Sequence, residues 1–219
     1  MITYKDIKNS REIQTYIKRA DETLAALGYT EHAFAHVGKV AEHAQQILKV
    51  LGYDDRTAEL AKIAGYMHDI GNVVNRVDHA QSGAIMAFRI LDKMGMDVDE
   101  IATIISAIGN HDESTAVPVN EVAAALILAD KSDVRRTRVR NRVKASFDIH
   151  DRVNYSVESS NLVIDTENKY SILELKIDTE MFAIMDYFEI FLGRMLLCRR
   201  ASEFLNLRFK LVINGVELL

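Results

Sequence analysis

The sequence predicts a mainly α-helical bundle that carries a small α+β appendage at its C-terminus. The chain contains a single proline, Pro118, and only 10 glycines among 219 residues, so few positions interrupt helices. Apolar residues recur three and four positions apart through the first part of the chain, which is typical of amphipathic helices. After about residue 156 the pattern changes to short runs typical of β-strands. We therefore expect a helical domain over residues 1–155 and an α+β subdomain over residues 156–219.

Caps and apolar spacing predict the helices of the first domain in order. Ser10 and Asn120 are typical N-cap residues, as are Asp54 and Asp55, and glycines at positions 28 and 52 follow expected helix ends. The expected helices run from the Ser10 cap to residue 28, over 34–51, from the Asp54 or Asp55 cap to about residue 68, over 79–94, over 98–109, and over 121 to about 136.

The appendage is predicted as a hairpin, a helix and two further strands. Residues 161–165 and 170–177 alternate in the manner of strands, and the polar residues 166–169 between them predict a hairpin turn. Residues 179–205 predict a helix. The Asn214-Gly215 pair predicts a tight turn between strands at 209–213 and 216–219.

Composition excludes several classes of protein. The net charge of -5 argues against general binding to nucleic-acid duplexes or membrane surfaces. The single cysteine, Cys198, excludes a disulfide framework and indicates a reducing compartment. The polar N-terminus does not resemble a signal peptide, and no apolar run reaches the roughly 18 residues that span a bilayer. We expect a cytoplasmic protein without membrane contact. An exposed sheet edge in the appendage would favour a homodimer.

The most informative pair in the sequence is His68-Asp69. Adjacent residues on a helix point roughly 100° apart, so they can share one ligand only near a helix end. The apolar residues before the pair, and Gly71 after it, indicate such an end in the protein interior. An imidazole and a carboxylate side by side at this place predict a metal site.

Other histidines and aspartates supply enough partners for that site. Asp130 follows the apolar run 125–129, where an unpaired carboxylate would be costly to bury. Imidazoles and carboxylates without thiolates favour Fe, Mn, Zn, Co or Ni. Six candidates exceed the need of one tetrahedral ion and suggest two ions bridged by a carboxylate, which can clamp phosphoryl oxygens and activate water. The candidates are His36, His68, Asp69, His79, His111 and Asp130.

The order His36, His68-Asp69 and Asp130 resembles the HD-domain metal-dependent phosphohydrolase superfamily, over roughly residues 30–135. The resemblance implies an HD-type helical bundle in which these four residues bind a first divalent or transition metal ion. His79 and His111 match additional histidines of the binuclear branch, in which Asp69 would bridge two ions. The implied activity is hydrolysis of a phosphate ester or anhydride of a small, nucleotide-like substrate by metal-activated water.

Three departures separate the chain from the cyclic-di-GMP phosphodiesterase branch of that superfamily. Asn72 stands where that branch usually has lysine, Asp112 follows His111 where it has a second histidine, and its Gly-Tyr-Pro signature is absent. The pattern is closer to the bacterial symmetrical dinucleoside-tetraphosphate hydrolases and other small binuclear members.

Further roles are assigned to residues near the expected site. Asp69 is expected in catalysis, and Asp112 or Asp133 could accept a proton. Asp112 could also orient a ligand, bind the metal itself or cap a helix, and Asp133 could orient a ligand or form a salt bridge. The basic segment 135–144 follows the Asp130 helix and is either a solvated helix face or a phosphate clamp. The expected substrate-binding residues are Arg76, Lys131, Arg135 and Arg136.

Two alternatives remain open. The ligand series also resembles that of di-iron oxygenases in the same superfamily, which cleave C–C or C–P bonds. A non-catalytic nucleotide sensor, in which the appendage transmits the signal, is the third hypothesis.

Overall fold

The computed structural model describes residues 1–113, 115–141, 147, 149–180 and 184–218. The helices are α1 Tyr4–Asn9, α2 Arg11–Ala26, α3 Phe34–Val50, α4 Asp55–Met67, α5 His79–Met94, α6 Val98–Gly109, α7 Glu121–Lys131, α8 Ile149–Ser156 and α9 Ile184–Phe204. Short 3₁₀ helices cover Ile70–Val73 and Arg136–Arg138. The strands are β1 Val157–Asp165, β2 Tyr170–Ile177, β3 Arg208–Ile213 and β4 Val216–Glu217.

Local capping explains why the sequence predicted the starts of α4 and α7 so closely. Asp54 accepts hydrogen bonds from the first backbone N–H groups of α4, and Asn120 does the same for α7. Both caps were expected. The short α1 was missed, although Thr3 and Asp6 form a capping box at its start.

The helix expected over residues 121 to about 136 was too long, since α7 ends at Lys131. Two residues later, the Asp133 carboxylate turns inward and binds His36 and Lys39, and Val134 N–H bonds to Ser132 O. That local chain path is incompatible with further α-helix. The basic segment is therefore not a continuous helix face in its described part, and its residues 142–144 lie outside the described residues.

Two glycines bring the ligand-bearing helices close together. A Cβ on Gly65 of α4 would lie 2.9 Å from the Cα of Ala41 on α3. A Cβ on Gly71 would lie only 2.0 Å from the carbonyl oxygen of His79, the first residue of α5. Gly71 was interpreted as the mark of a helix end. Its structural role is this close approach, which places the turn after α4 against the start of α5.

The appendage forms one four-stranded sheet in the order β1-β2-β3-β4. The pairs β1/β2 and β3/β4 are antiparallel, whereas β2 and β3 are parallel and are connected through α9. α9 also packs against α7 of the helical body. The buried apolar residues of both parts belong to one cluster, which extends from Ile7 to Ile213. The α+β appendage is confirmed, while the domain boundary near residue 155 stays a prediction. Across the described ranges, every helix is too short or too polar to cross a membrane.

Candidate metal centre

The fold brings all six predicted ligands together in the interior. They come from five places in the chain, and each is at most 9% exposed. His36 lies on α3, His68 and Asp69 directly follow α4, His79 opens α5, His111 follows α6, and Asp130 is in the last turn of α7. Such a concentration of buried ionisable side chains is costly unless they bind a partner.

The four histidines share one orientation. In each of them Nδ1 faces an oxygen that can only accept a hydrogen bond, so Nδ1 carries the proton and Nε2 keeps its lone pair. This is the arrangement of imidazoles that bind metal ions through Nε2. The acceptors are Asp133 Oδ2 at 2.8 Å for His36, Gly65 O at 2.8 Å for His68, Arg76 O at 3.0 Å for His79, and Ile108 O at 2.6 Å for His111.

The first group of ligand atoms surrounds a point between α3, α4 and α7. Asp69 Oδ2 lies 3.6 Å from His36 Nε2 and 3.2 Å from His68 Nε2. Asp130 Oδ1 lies 3.3 and 3.7 Å from the same two nitrogens. His36 Nε2, His68 Nε2 and Asp69 Oδ2 are buried without a hydrogen-bond partner. A cation bound by these atoms would satisfy all three, so the donor set fits a transition or other divalent metal.

The second group lies on the other side of Asp69. Asp69 Oδ1 is 3.6 Å from His79 Nε2, which in turn lies 3.2 Å from His111 Nε2. Two imidazole lone pairs that face each other at this distance repel, unless a proton or a metal ion stands between them. Asp112 Oδ1 lies 3.9 Å from His79 Nε2. The two oxygens of Asp69 therefore face two separate sets of nitrogens.

Neighbouring charges and burial keep most of these side chains in the protonation state that binds a metal ion. Burial raises the pKa of Asp69, but the neighbouring His68 outweighs it and holds the pKa well below its usual value. Burial also raises the pKa of Asp130, but Lys131 together with His36 and His68 outweighs it and holds that pKa well below its usual value. Burial, together with the charges of His68 and Lys131, lowers the pKa of His111 to about 3, so its imidazole is neutral. Although burial opposes it, Asp69 raises the pKa of His68, whose proton a metal ion would displace.

Asp133 was expected either to accept a proton in catalysis or to orient a ligand, and the structure places it behind His36. Its Oδ2 accepts the Nδ1 hydrogen bond of His36, and its Oδ1 binds Lys39 and Arg135, both at 2.9 Å. The side chain is fully buried. Burial raises the pKa of Asp133, but the hydrogen bond and charge of His36, together with the charges of Arg138 and Lys39, outweigh burial, so the carboxylate stays ionised. Its geometry therefore supports the orienting role.

Asn72 is a positioning residue that the sequence did not reveal. Its Nδ2 donates to Asp69 Oδ1 at 2.9 Å and to the Asp69 carbonyl oxygen at 3.0 Å. These bonds fix the carboxylate so that its two oxygens face the two groups of nitrogens. In the sequence Asn72 was noted only as a departure from a related pattern.

A cavity of about 380 Å³ opens over the second group and Asp130. Arg76 and Lys131 line it, as do Arg138, which belongs to the basic segment 135–144, and Arg194, which the sequence did not indicate. The other two predicted substrate-binding residues are not among its lining residues. Arg135 Nε donates to Asp133, and Arg136 Nε donates to the Tyr155 carbonyl oxygen.

Parts of the chain are similar to known proteins. A family model for the HD domain matches residues 33–148, more than half of the chain. An uncharacterized protein of Methanocaldococcus jannaschii is 25% identical over 178 residues, which cover 71% of this chain and 68% of that protein. A crystal structure of a predicted HD superfamily hydrolase from an uncultured Thermotogales bacterium is 28% identical, covers 57% of this chain and 68% of that chain, and superposes with a TM-score of 0.45. The chain belongs to the HD domain family.

Proposed function

We propose that this protein is a phosphohydrolase with a two-metal centre, and that it cleaves a phosphate ester or anhydride of a nucleotide-like substrate. The observation that carries the proposal is the common orientation of four buried imidazoles. Their Nε2 lone pairs and the oxygens of two aspartates converge beneath a cavity lined by cationic side chains.

Asp69 divides the ligands between two ions. His36, His68, Asp130 and Asp69 Oδ2 would hold the first ion, while His79, His111 and Asp69 Oδ1 would hold the second. Bound divalent ions would polarise phosphoryl oxygens and lower the pKa of a coordinated water from about 16 to about 7.

Two cations beside the ligands are placed to bind phosphoryl oxygens. Lys131 Nζ lies 2.7 Å from Asp130 Oδ2, and the attraction of that carboxylate outweighs burial and raises the pKa of Lys131, which therefore stays charged. Arg76 Nη1 lies 3.3 Å from His79 Nε2 and 3.4 Å from Asn72 Oδ1. Their charges favour an anionic substrate.

Asp112 is the candidate proton acceptor. Its side chain is 23% exposed, and its Oδ1 lies 3.9 Å from both His79 Nε2 and Arg76 Nη2. Asp133, by contrast, is enclosed by the residues that it orients. A carboxylate beside the second ion can take a proton from the attacking water, whereas one behind His36 cannot reach it.

The rest of the cavity supports a nucleotide-like substrate. Tyr29 and Phe191 line it together with Leu27 and Ile190, and they provide apolar and aromatic surface beside the cationic groups. A nucleotide combines a charged phosphate with a flat base that stacks on such rings. The proposed partner is therefore a small phosphorylated molecule.

Metal content and a substrate panel test the proposal. Freshly purified protein is analysed for Fe, Mn, Zn, Co and Ni, and is then assayed without oxygen against mononucleotides, dinucleoside polyphosphates and cyclic dinucleotides. We expect metal-dependent hydrolysis of at least one of these classes, and we expect Asp69→Asn to abolish it. His43→Ala is the control, since His43 is a half-buried histidine on the same helix as His36 and lies outside both ligand groups.

Two results would contradict the proposed phosphohydrolase function. Turnover that requires oxygen, with a mixed-valent iron signal, would identify an oxygenase. Tight nucleotide binding without turnover in metal-loaded protein would identify a sensor.

A further inference from the structure

Arg194 reaches the cavity from outside the segment that defines the family. It lies on α9, beyond the HD segment 33–148, and it lines the cavity over Asp130. α9 is positioned there because it packs against α7, the helix that ends with Asp130 and Lys131. The C-terminal appendage thus supplies part of the wall that a substrate would meet.

Two contacts hold the Arg194 guanidinium in a defined position. Its Nε donates to Glu113 Oε1 at 2.7 Å, and its central carbon lies 4.2 Å from the centre of the Phe191 ring. The side chain is 21% exposed. An arginine that is stacked and hydrogen-bonded loses little rotamer freedom when it binds a ligand, because its planar fork is already oriented.

A series of ion pairs with alternating charge runs from Arg194 through Glu113 and Lys131 to the metal ligand Asp130. Glu113 Oε1 lies 3.6 Å from Lys131 Nζ, which lies 2.7 Å from Asp130 Oδ2. Lys131 is therefore the cation next to the proposed first ion, and Arg194 is the cation one ion pair further out. A phosphoryl group on the ions would meet Lys131, whereas Arg194 would meet the group attached to it.

We propose that Arg194 binds a second, non-scissile phosphoryl group, so that the preferred substrate is a phosphoanhydride rather than a phosphate monoester. This proposal rests on the proposed function and deepens it. Guanidinium matches the geometry of phosphate through two parallel hydrogen bonds. Glu113 and Phe191 would be the residues that position it.

Binding of inorganic pyrophosphate and inorganic phosphate tests the role of Arg194 separately from turnover. Titration calorimetry on manganese-loaded protein gives both affinities, and elemental analysis checks that each variant keeps its metal. In Arg194→Gln we expect pyrophosphate affinity to fall by about tenfold or more, while phosphate affinity changes by less than about threefold. Arg194→Lys keeps the charge without the fork, and we expect a smaller loss that is again selective for pyrophosphate.

Arg199→Gln is the matched control, because Arg199 lies on the same helix and its side chain is 55% exposed. It should leave both affinities unchanged. Equal losses for both anions in Arg194→Gln, or no loss for pyrophosphate, would overturn the inference. If Arg194→Gln does not fold, Arg194→Lys decides by the same criterion. Pyrophosphate binding that depends on Arg194 in a protein that hydrolyses no phosphate compound would contradict the proposed function and the phosphoanhydride substrate, and would leave only the role of Arg194 in binding a second phosphoryl group.

Discussion

The two halves of the candidate metal centre differ in how they meet the cavity. The inner half consists of His36, His68 and Asp130 with Asp69 Oδ2, and its two histidines are enclosed and take no part in the cavity wall. The outer half consists of His79 and His111 with Asp69 Oδ1, and both of its histidines line the cavity. This difference suggests that the inner half holds its ion as a fixed part of the structure, while the outer half meets the substrate.

The largest effect is expected where the halves join, at Asp69. Asp69→Asn keeps the shape of the side chain but removes the charge that both halves share. We expect both ions to be lost and hydrolysis to fall at least about 1000-fold, because the ions supply several kcal/mol of transition-state stabilisation. Elemental analysis and the rate of substrate hydrolysis measure the two losses. A variant that keeps two ions would show that Asp69 does not connect the halves.

Substitutions of Asp133 and Asp112 test the two halves one at a time, because Asp133 lies beside the inner half and Asp112 lies beside the outer half. Asp112→Asn should lower kcat by about 100-fold and leave metal affinity unchanged, because it removes a proton acceptor beside the outer half. Asp133→Asn should weaken the affinity of the inner ion by about 10-fold to 100-fold, because it removes the charge that orients His36. At saturating metal its kcat should return to the wild-type value. If Asp112→Asn weakened metal affinity and Asp133→Asn lowered kcat at saturating metal, the roles of the two aspartates would be exchanged.

Gly71 sets the distance between the halves through backbone packing. Gly71→Ala introduces a Cβ that would lie 2.0 Å from the His79 carbonyl oxygen, so α5 must shift. We expect the free energy of unfolding of the metal-free protein to fall by about 1–3 kcal/mol, measured by denaturant titration. Gly38→Ala is the matched control, because a Cβ at that helical position meets no atom within 4 Å. Equal stability of the two variants would show that the close approach is not needed.

The smallest effect is expected for two arginines that the sequence assigned to substrate binding. Arg135 binds Asp133 and Glu31, and Arg136 lies over the Tyr155 ring. Because neither lines the cavity, Arg135→Gln and Arg136→Gln should each change KM by less than about twofold at saturating metal. A tenfold rise in KM would show that these two arginines also take part in a phosphate clamp, together with Arg138 of the same basic segment, which lines the cavity.

The ligands and most helices could be predicted because their signals are local. The His68-Asp69 pair and the apolar run before Asp130 are visible in short windows, and caps such as Asp54 mark helix starts within one or two residues. The order of the ligands along the whole chain then revealed the resemblance to the HD-domain superfamily, which no short stretch of sequence shows by itself.

The remaining features depend on contacts between distant parts of the chain. α7 ends early because Asp133 binds His36, a residue 97 positions away. Arg194 enters the cavity wall through Glu113, which lies 81 positions earlier. Neither arginine nor aspartate carries a local sign of its distant partner, so pattern and propensity could not reveal these roles.

Metal stoichiometry in His111→Ala tests the two-half centre most directly. The substitution removes one ligand of the outer half and leaves every ligand of the inner half in place. Elemental analysis should give about two ions per chain in the wild-type protein and about one in the variant, because three protein ligands and Asp69 still enclose the inner ion. Loss of all metal in the variant, or an unchanged stoichiometry, would contradict a centre built from an inner and an outer half.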